Sequence, residues 1–181
     1  MKKLIYLLSA SFLFFTLPTH AKQKKEAPPN YQAKAEIFNA DGQQVGRAVF
    51  FENGDSVRMI VETIGLPAGN HGIHIHEFGV CERPEFKTAG NHFNPKSKHH
   101  GLQNKSGAHG GDMPNLKVED GSMAGRLEYI LPDVNLGSGK DGLLKKDGTS
   151  IVIHASYDDQ TSDPSGNSGA RIACGVIESS R

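Results

Sequence analysis

Apolar and polar residues alternate with a two-residue period along much of this chain. In 31–38 the alternation places Ala33, Ala35 and Ile37 on one face, and in 56–64 it places Val57, Met59 and Val61 on one face. Successive side chains of a strand point to opposite sides, so each run predicts a half-buried β-strand. Asp41-Gly42 and Asn53-Gly54 fall between such runs, where residues tolerant of positive φ make tight hairpin turns. Further strands are predicted at 44–52, 71–77, 125–131, 150–155 and 171–177. Short strands separated by turn signals point to an antiparallel sandwich or barrel. Two connections, 78–119 and 156–170, are far longer than hairpins need and are dense in Gly, Asn, Asp and His. Loops of that length in a compact β domain are functional or disordered.

Composition sharpens this reading. Of 181 residues, 36% are hydrophobic and 7% aromatic, with no Trp, 21 Gly and 9 Pro, which excludes a helical bundle. The length suits one domain, and a domain of about 150 residues buries roughly 70% of its unfolded surface. Lys plus Arg and Asp plus Glu each number 20, so no nucleic acid or other polyionic partner is implied. Lys2 and Lys3 precede the apolar run LIYLLSASFLFFTL, followed by Pro18 and Thr19-His20-Ala21. Residues 1–21 therefore read as a cleavable signal peptide, with a retained anchor as the alternative. The apolar run is shorter than the ~20 residues of a comfortable membrane span. Residues 22–30 then form a polar tether and 31–178 the domain, exported to the periplasm, cell envelope or extracellular space. Cleavage removes Lys2 and Lys3 from the 20 basic residues, leaving 18 against 20 acidic ones.

The histidines carry the chemistry. His74 and His76 in GIHIHEFG lie two apart on a predicted strand, so their rings project side by side while Ile73 and Ile75 enter the core. Such a pair alone is more often a solvent-facing pattern than a metal site. Its company alters that balance. GNHFNPKSKHHGLQNKSGAHGGD spaces His92, His100, His109 and Asp112 at gaps of eight, nine and three residues. Three imidazoles and one carboxylate make a closed tetrahedral set suited to structural zinc, and a loop can wrap an ion whose binding energy orders it. His154, near the end of another predicted strand, would join His74 and His76 in an imidazole-rich cluster of the kind that favours Cu(II).

These motifs, GIHIHEFG, GNHFNP, HGxxxxxxxHGGD and GNSGARIACGVI, occur in an order that resembles the copper, zinc superoxide dismutases along nearly all of 31–177. The resemblance implies a Greek-key antiparallel β-sandwich or flattened barrel of about eight strands, with two long functional loops building the site. It implies one copper and one zinc per chain. His74, His76, His92 and His154 would hold copper, and His92, His100, His109 and Asp112 zinc, with His92 bridging the two. His100 rather than His99 matches the family's eight-residue gap from His92, leaving His99 an exposed neighbour and His71 a hydrogen-bonded structural residue. Asp158 resembles the carboxylate that holds one copper and one zinc histidine by their free N–H groups, here His74 and His100. Arg171 resembles the arginine that draws superoxide to copper. The implied reaction is dismutation of superoxide to oxygen and hydrogen peroxide, with His92 carrying a proton.

Cys81 and Cys174 are the two cysteines of an exported chain whose copper site calls for imidazole rather than thiolate, so an intramolecular disulfide is expected. Cys81 follows His76 by five residues, as in the bacterial branch of the family. The 156–170 loop carries three Asp and no Lys, which would weaken electrostatic steering. Branches differ in subunit arrangement, so the oligomeric state is not predicted. The rival reading is a non-catalytic secreted zinc- or copper-binding protein of the same fold. A zinc hydrolase fits less well, because no HExxH motif is present and a filled zinc shell leaves no water position.

Overall fold

Ala33, Ala35 and Ile37 are fully buried on one face of the first strand, and Val57, Met59 and Val61 on one face of the third. In the computed structural model, which describes residues 32–180, the predicted leader 1–21 and tether 22–30 lie outside the described residues. Ten strands form in chain order: β1 Ala33–Asn39, β2 Gln44–Asn53, β3 Ser56–Ile64, β4 Gly69–His71, β5 Ile73–His76, β6 Leu116–Val118, β7 Ala124–Pro132, β8 Ser150–His154, β9 Arg171–Val176 and β10 Glu178–Ser179. A single 3-10 turn, Lys87–Ala89, is the helical element among the described residues. Every strand pair is antiparallel.

The strands run β4-β6-β7-β3-β2-β1-β9-β8-β5, with β10 on β1. β1 to β3 form a meander and β9 returns beside β1, a Greek-key arrangement. The sheet's two outer strands, β4 and β5, are separated in the chain by Gly72 alone. Its ends therefore meet, and the sheet curls into a nearly closed, flattened barrel. Register keeps the apolar faces inward: Phe50 opposes Met59, and Val61 opposes Leu127. Phe50, Met59, Ile37 and Leu131 are completely buried, each contributing about 1.5–3 kcal/mol by leaving water.

Three features depart from the sequence-based expectations. The run 71–77 was expected as one strand but breaks at Gly72, where the chain changes partner from β6 to β8. The Gly72 N–H donates to Ser156 and its carbonyl accepts from His154. A Cβ there would stand 2.7 Å from that of Ser168, so only glycine fits the crossing. The long connection 78–119 contains β6, whose Leu116 and Val118 are buried around exposed Lys117. Three residues are too few to register as a period. β10 is shorter still, and its two exposed residues carry no pattern.

Candidate metal centre

Both long connections fold back over the outside of β5 and β8, burying side chains that would otherwise face water. All four residues of β5 and all five of β8 are buried. The connection after β5 lies alongside it in extended form: Ile75 donates to Gly111 and accepts from Phe93. A Cβ on Gly111 would stand 2.3 Å from the Ile75 oxygen, so this close approach requires glycine. In consequence His92 and Asp112 come to lie opposite His76 and His74.

Two clusters result, sharing His92. In the first, the ligand-capable atoms of His74, His76, His92 and His154 all lie within 4.8 Å of one another. Their tautomers follow from the hydrogen bonds at the opposite ring nitrogens. His76 Nδ1 meets the Gly90 carbonyl at 3.0 Å, and His154 Nδ1 meets the Gly169 carbonyl at 3.1 Å. A carbonyl oxygen can only accept, so both Nδ1 atoms carry the proton. His74 Nε2 lies 2.7 Å from an Asp158 carboxylate oxygen, which likewise accepts. The lone pairs are then left on His74 Nδ1, His76 Nε2 and His154 Nε2. Those three nitrogens and His92 Nε2 are buried without any hydrogen-bond partner, a condition that costs about 1–3 kcal/mol per group. Four converging, unpartnered imidazole nitrogens are the donor set that a copper ion would satisfy.

Burial, and then mutual repulsion with neighbouring imidazoles, sets the protonation of this cluster. The pKa of His74 falls to about 3 and that of His154 to about 4, while His76 drops well below the usual histidine range. His92 is also lowered, chiefly by burial. All four are thus neutral, as ligands must be.

The second cluster is built around a carboxylate. Asp112 Oδ1 lies 2.9 Å from His92 Nδ1, 3.0 Å from His100 Nδ1 and 3.3 Å from His109 Nδ1. Its Oδ2 accepts from the backbone N–H groups of Gly101 and His109. Burial would raise the Asp112 pKa, but the bonds from His100, His109 and His92 outweigh it and hold the carboxyl far below its usual range. His74 also offers an atom within 4.8 Å of those of His92, His100 and Asp112. We favour His109 over His74 here, because His74 Nε2 is occupied by Asp158 and its Nδ1 is the unpartnered atom of the first cluster, whereas His109 Nδ1 stands 3.4 Å from His92 Nδ1. His100 sits between two carboxylates, with Nε2 3.0 Å from Asp158 Oδ1. Burial opposes its charge, but the bonds to Asp112 and Asp158 prevail and raise its pKa to about 9. Three imidazoles and a carboxylate crowded on one point suit tetrahedral zinc.

Asp158 therefore touches one histidine of each cluster. Its own position is set by Asn115, whose amide accepts from the Asp158 N–H at 2.6 Å and donates to its carbonyl at 2.8 Å. Nothing in the sequence singles out Asn115, since an asparagine before a three-residue strand has no distinguishing neighbours. His71 belongs to neither cluster; its ring nitrogens meet the carbonyls of His154 and Pro67. His99 is exposed, as expected, and stands outside both clusters.

A cavity of about 500 Å³ opens on the first cluster, lined by His76, His92, His154 and Arg171 among others. The Arg171 guanidinium donates to the carbonyls of Phe86 at 2.7 Å and Gly90 at 2.6 Å. Both acceptors belong to the segment that the Cys81–Cys174 disulfide ties to β9. A slightly larger groove of about 530 Å³ runs beside that disulfide, but it holds neither cluster.

This constellation on a nearly closed Greek-key barrel defines a two-metal β-barrel protein. The family model for copper/zinc superoxide dismutase matches residues 44–177. Superoxide dismutase [Cu-Zn] 2 of Aquifex aeolicus is 42% identical over 179 residues, covering 98% of this chain and 99% of the relative. Among solved structures, a SOD-like protein from Bacillus subtilis superposes with a TM-score of 0.75 at 37% identity, over 79% of this chain and 96% of that one. The Cu/Zn superoxide dismutase of Brucella abortus gives 0.65 at 27% identity, over 81% and 100%. The chain belongs to the copper/zinc superoxide dismutase family, whose members use copper and zinc.

Proposed function

We propose that this protein dismutes superoxide, two superoxide ions and two protons giving one oxygen and one hydrogen peroxide. The observation that carries the reading is the position of His92, whose Nε2 is an unpartnered buried atom beside the first cluster while its Nδ1 belongs to the second. Copper would be held by His74 Nδ1 and by Nε2 of His76, His92 and His154; zinc would be held by Nδ1 of His92, His100 and His109 and by Asp112 Oδ1. When bound, copper supplies a one-electron acceptor and donor in turn, and zinc supplies a fixed positive charge.

The remaining roles belong to the chain's own groups. His92 would hold a proton at Nε2 when that nitrogen is free of copper, its Nδ1 staying with the second cluster, and would yield it to the peroxide product. Arg171 is a catalytic residue that attracts and orients the anion, its direction set by two backbone carbonyls. Asp158 fixes the rings of His74 and His100, and such supporting groups typically change affinity or activity 10- to 100-fold. The disulfide, together with the leader expected over 1–21 from its sequence, supports export to the periplasm, cell envelope or extracellular space, with superoxide as the small-molecule partner. No helix among the described residues is long and apolar enough to cross a membrane. Four unpartnered nitrogens opening on an arginine-lined cavity favour catalysis over metal storage.

The test combines metal analysis with a superoxide-consumption assay on the native protein and His92→Ala. The native chain should hold one copper and one zinc and consume superoxide; the variant should lose most activity and show an altered copper spectrum. Metal contents well below half-stoichiometric after reconstitution, or an unchanged copper spectrum in the variant, would defeat the assignment.

A further inference from the structure

The connection after β8 meets the one carrying His100 along a seam remote in sequence and tight in space. Gln103 donates its N–H to the Gln160 carbonyl at 3.0 Å, and Asn104 Nδ2 donates to the Thr161 carbonyl at 3.2 Å. Gly101 adopts φ of 103°, and a Cβ there would lie 2.1 Å from the Gln160 oxygen. Asp163 stands in this seam. Its Oδ1 accepts the backbone N–H of His100 at 2.7 Å, and its Oδ2 meets His99 Nδ1 at 2.6 Å. One carboxylate thus grips two consecutive residues, one by its backbone and the other by its ring.

His100 is consequently fixed at three places by three carboxylates. Asp112 and Asp158 hold the two nitrogens of its ring, and Asp163 holds its main chain. Ring contacts set the orientation of an imidazole, whereas the backbone contact sets where its Cα stands and so how far the ring reaches. A ligand site tolerates only about 0.5 Å of displacement before it loosens. The Asp163–His99 pair is partly exposed, with side chains 48% and 62% accessible, and exposed ion pairs contribute little to global stability. Its consequence should appear in the site rather than in the fold.

We propose that Asp163 is a positioning residue for the zinc ligand His100, and that His99 holds the Asp163 carboxylate in the rotamer that reaches the His100 N–H. The inference rests on the reading of His100 as a zinc ligand. It makes the 156–170 connection a support for the second cluster as well as a wall of the cavity over the first.

The experiment uses the full chain loaded with copper and zinc and measures the rate of zinc loss to a chromogenic chelator, together with the visible spectrum after Co(II) replaces zinc. Asp163→Ala should release zinc about tenfold faster than native and alter the Co(II) bands. Asp163→Asn keeps an oxygen for the His100 N–H and should stay within roughly threefold of native, as should His99→Ala on the faster side, since an exposed pair carries little energy. Native release and a native spectrum in Asp163→Ala overturn the proposal. Should that variant fail to fold, His99→Ala decides, with Asp163→Asn as the control: release measurably faster in His99→Ala than in native protein supports the clamp, and native release in His99→Ala overturns it. A native chain that takes up no zinc defeats the ligand reading itself, before any variant is compared.

Discussion

The two clusters share an imidazole but are built on opposite plans. The first draws three of its four histidines from β5, one of the sheet's two outer strands, and β8 beside it, and leaves four ring nitrogens without partners. The second draws every residue from the connection after β5 and fills its centre with the Asp112 carboxylate. A barrel wall can hold lone pairs apart at no conformational cost beyond its own folding. A loop has no such rigidity and needs an anion to gather its cations or neutral rings. Metal-free, the first site is therefore a set of unsatisfied acceptors, and the second an internally bonded ion cluster.

The largest expected effect on this contrast comes from Asp112→Ala. Removing one partner of a buried ion cluster costs about 3 kcal/mol or more, equivalent to roughly 100-fold in retention. Zinc retention, measured by competition with a chelator, should fall by that order while copper stays bound to its strand histidines. Equal losses of both metals would show that the clusters are one unit.

Next in size is Arg171→Glu, which acts on the first cluster alone. Reversing the charge beside the cavity should slow superoxide consumption by at least about tenfold, corresponding to about 1.4 kcal/mol. Copper content should be unchanged. Added salt should slow the native protein modestly and leave the variant no slower, because it would screen repulsion there. Equal rates for both proteins, fully copper-loaded, would remove Arg171 from substrate guidance.

The smallest effect concerns pH and the metal-free protein. An unfolded histidine titrates near about 6.5. As pH falls below that, unfolded His74 and His154 take up protons that their folded forms refuse until about 3 and about 4, so stability declines with acidification. His100 behaves oppositely: its raised pKa of about 9 stabilises the fold fully below about 6.5, and that contribution is lost as pH rises through 9. The urea midpoint of metal-free protein should therefore peak near neutral pH and fall on both sides. A midpoint climbing steadily from pH 5 to 9 would contradict the opposed behaviour of the clusters.

The strands with a clean two-residue period, β1, β3 and β7, were legible because their inner and outer faces see different solvents throughout. β4 and β6 were not, since three residues cannot display a period and their pairing depends on partners some 50 residues apart in sequence. The histidine spacing pointed to the side chains that the fold gathers into two clusters, helped by the rarity of so many imidazoles in one loop. Asn115 and Asp163 escaped notice for a common reason: each acts through backbone groups of a distant segment, and a backbone contact imposes no residue pattern on its other side.

By itself, then, the sequence determined the alternation that makes a barrel, the glycines that permit its crossings, and the residue types able to take up copper and zinc. Tertiary structure alone decided which ring nitrogen of His74, His76 and His154 is left without a partner, because the opposing carbonyls of Gly90 and Gly169 and the carboxylate of Asp158 dictate where each proton sits. The sharing of His92, implied by the resemblance of its motif, gets its physical basis from the fold, because the folding of one connection against β5 brings its two nitrogens to different clusters. Residue identity limits the possible donors; the direction of a lone pair depends on what the fold places on the other side of the ring.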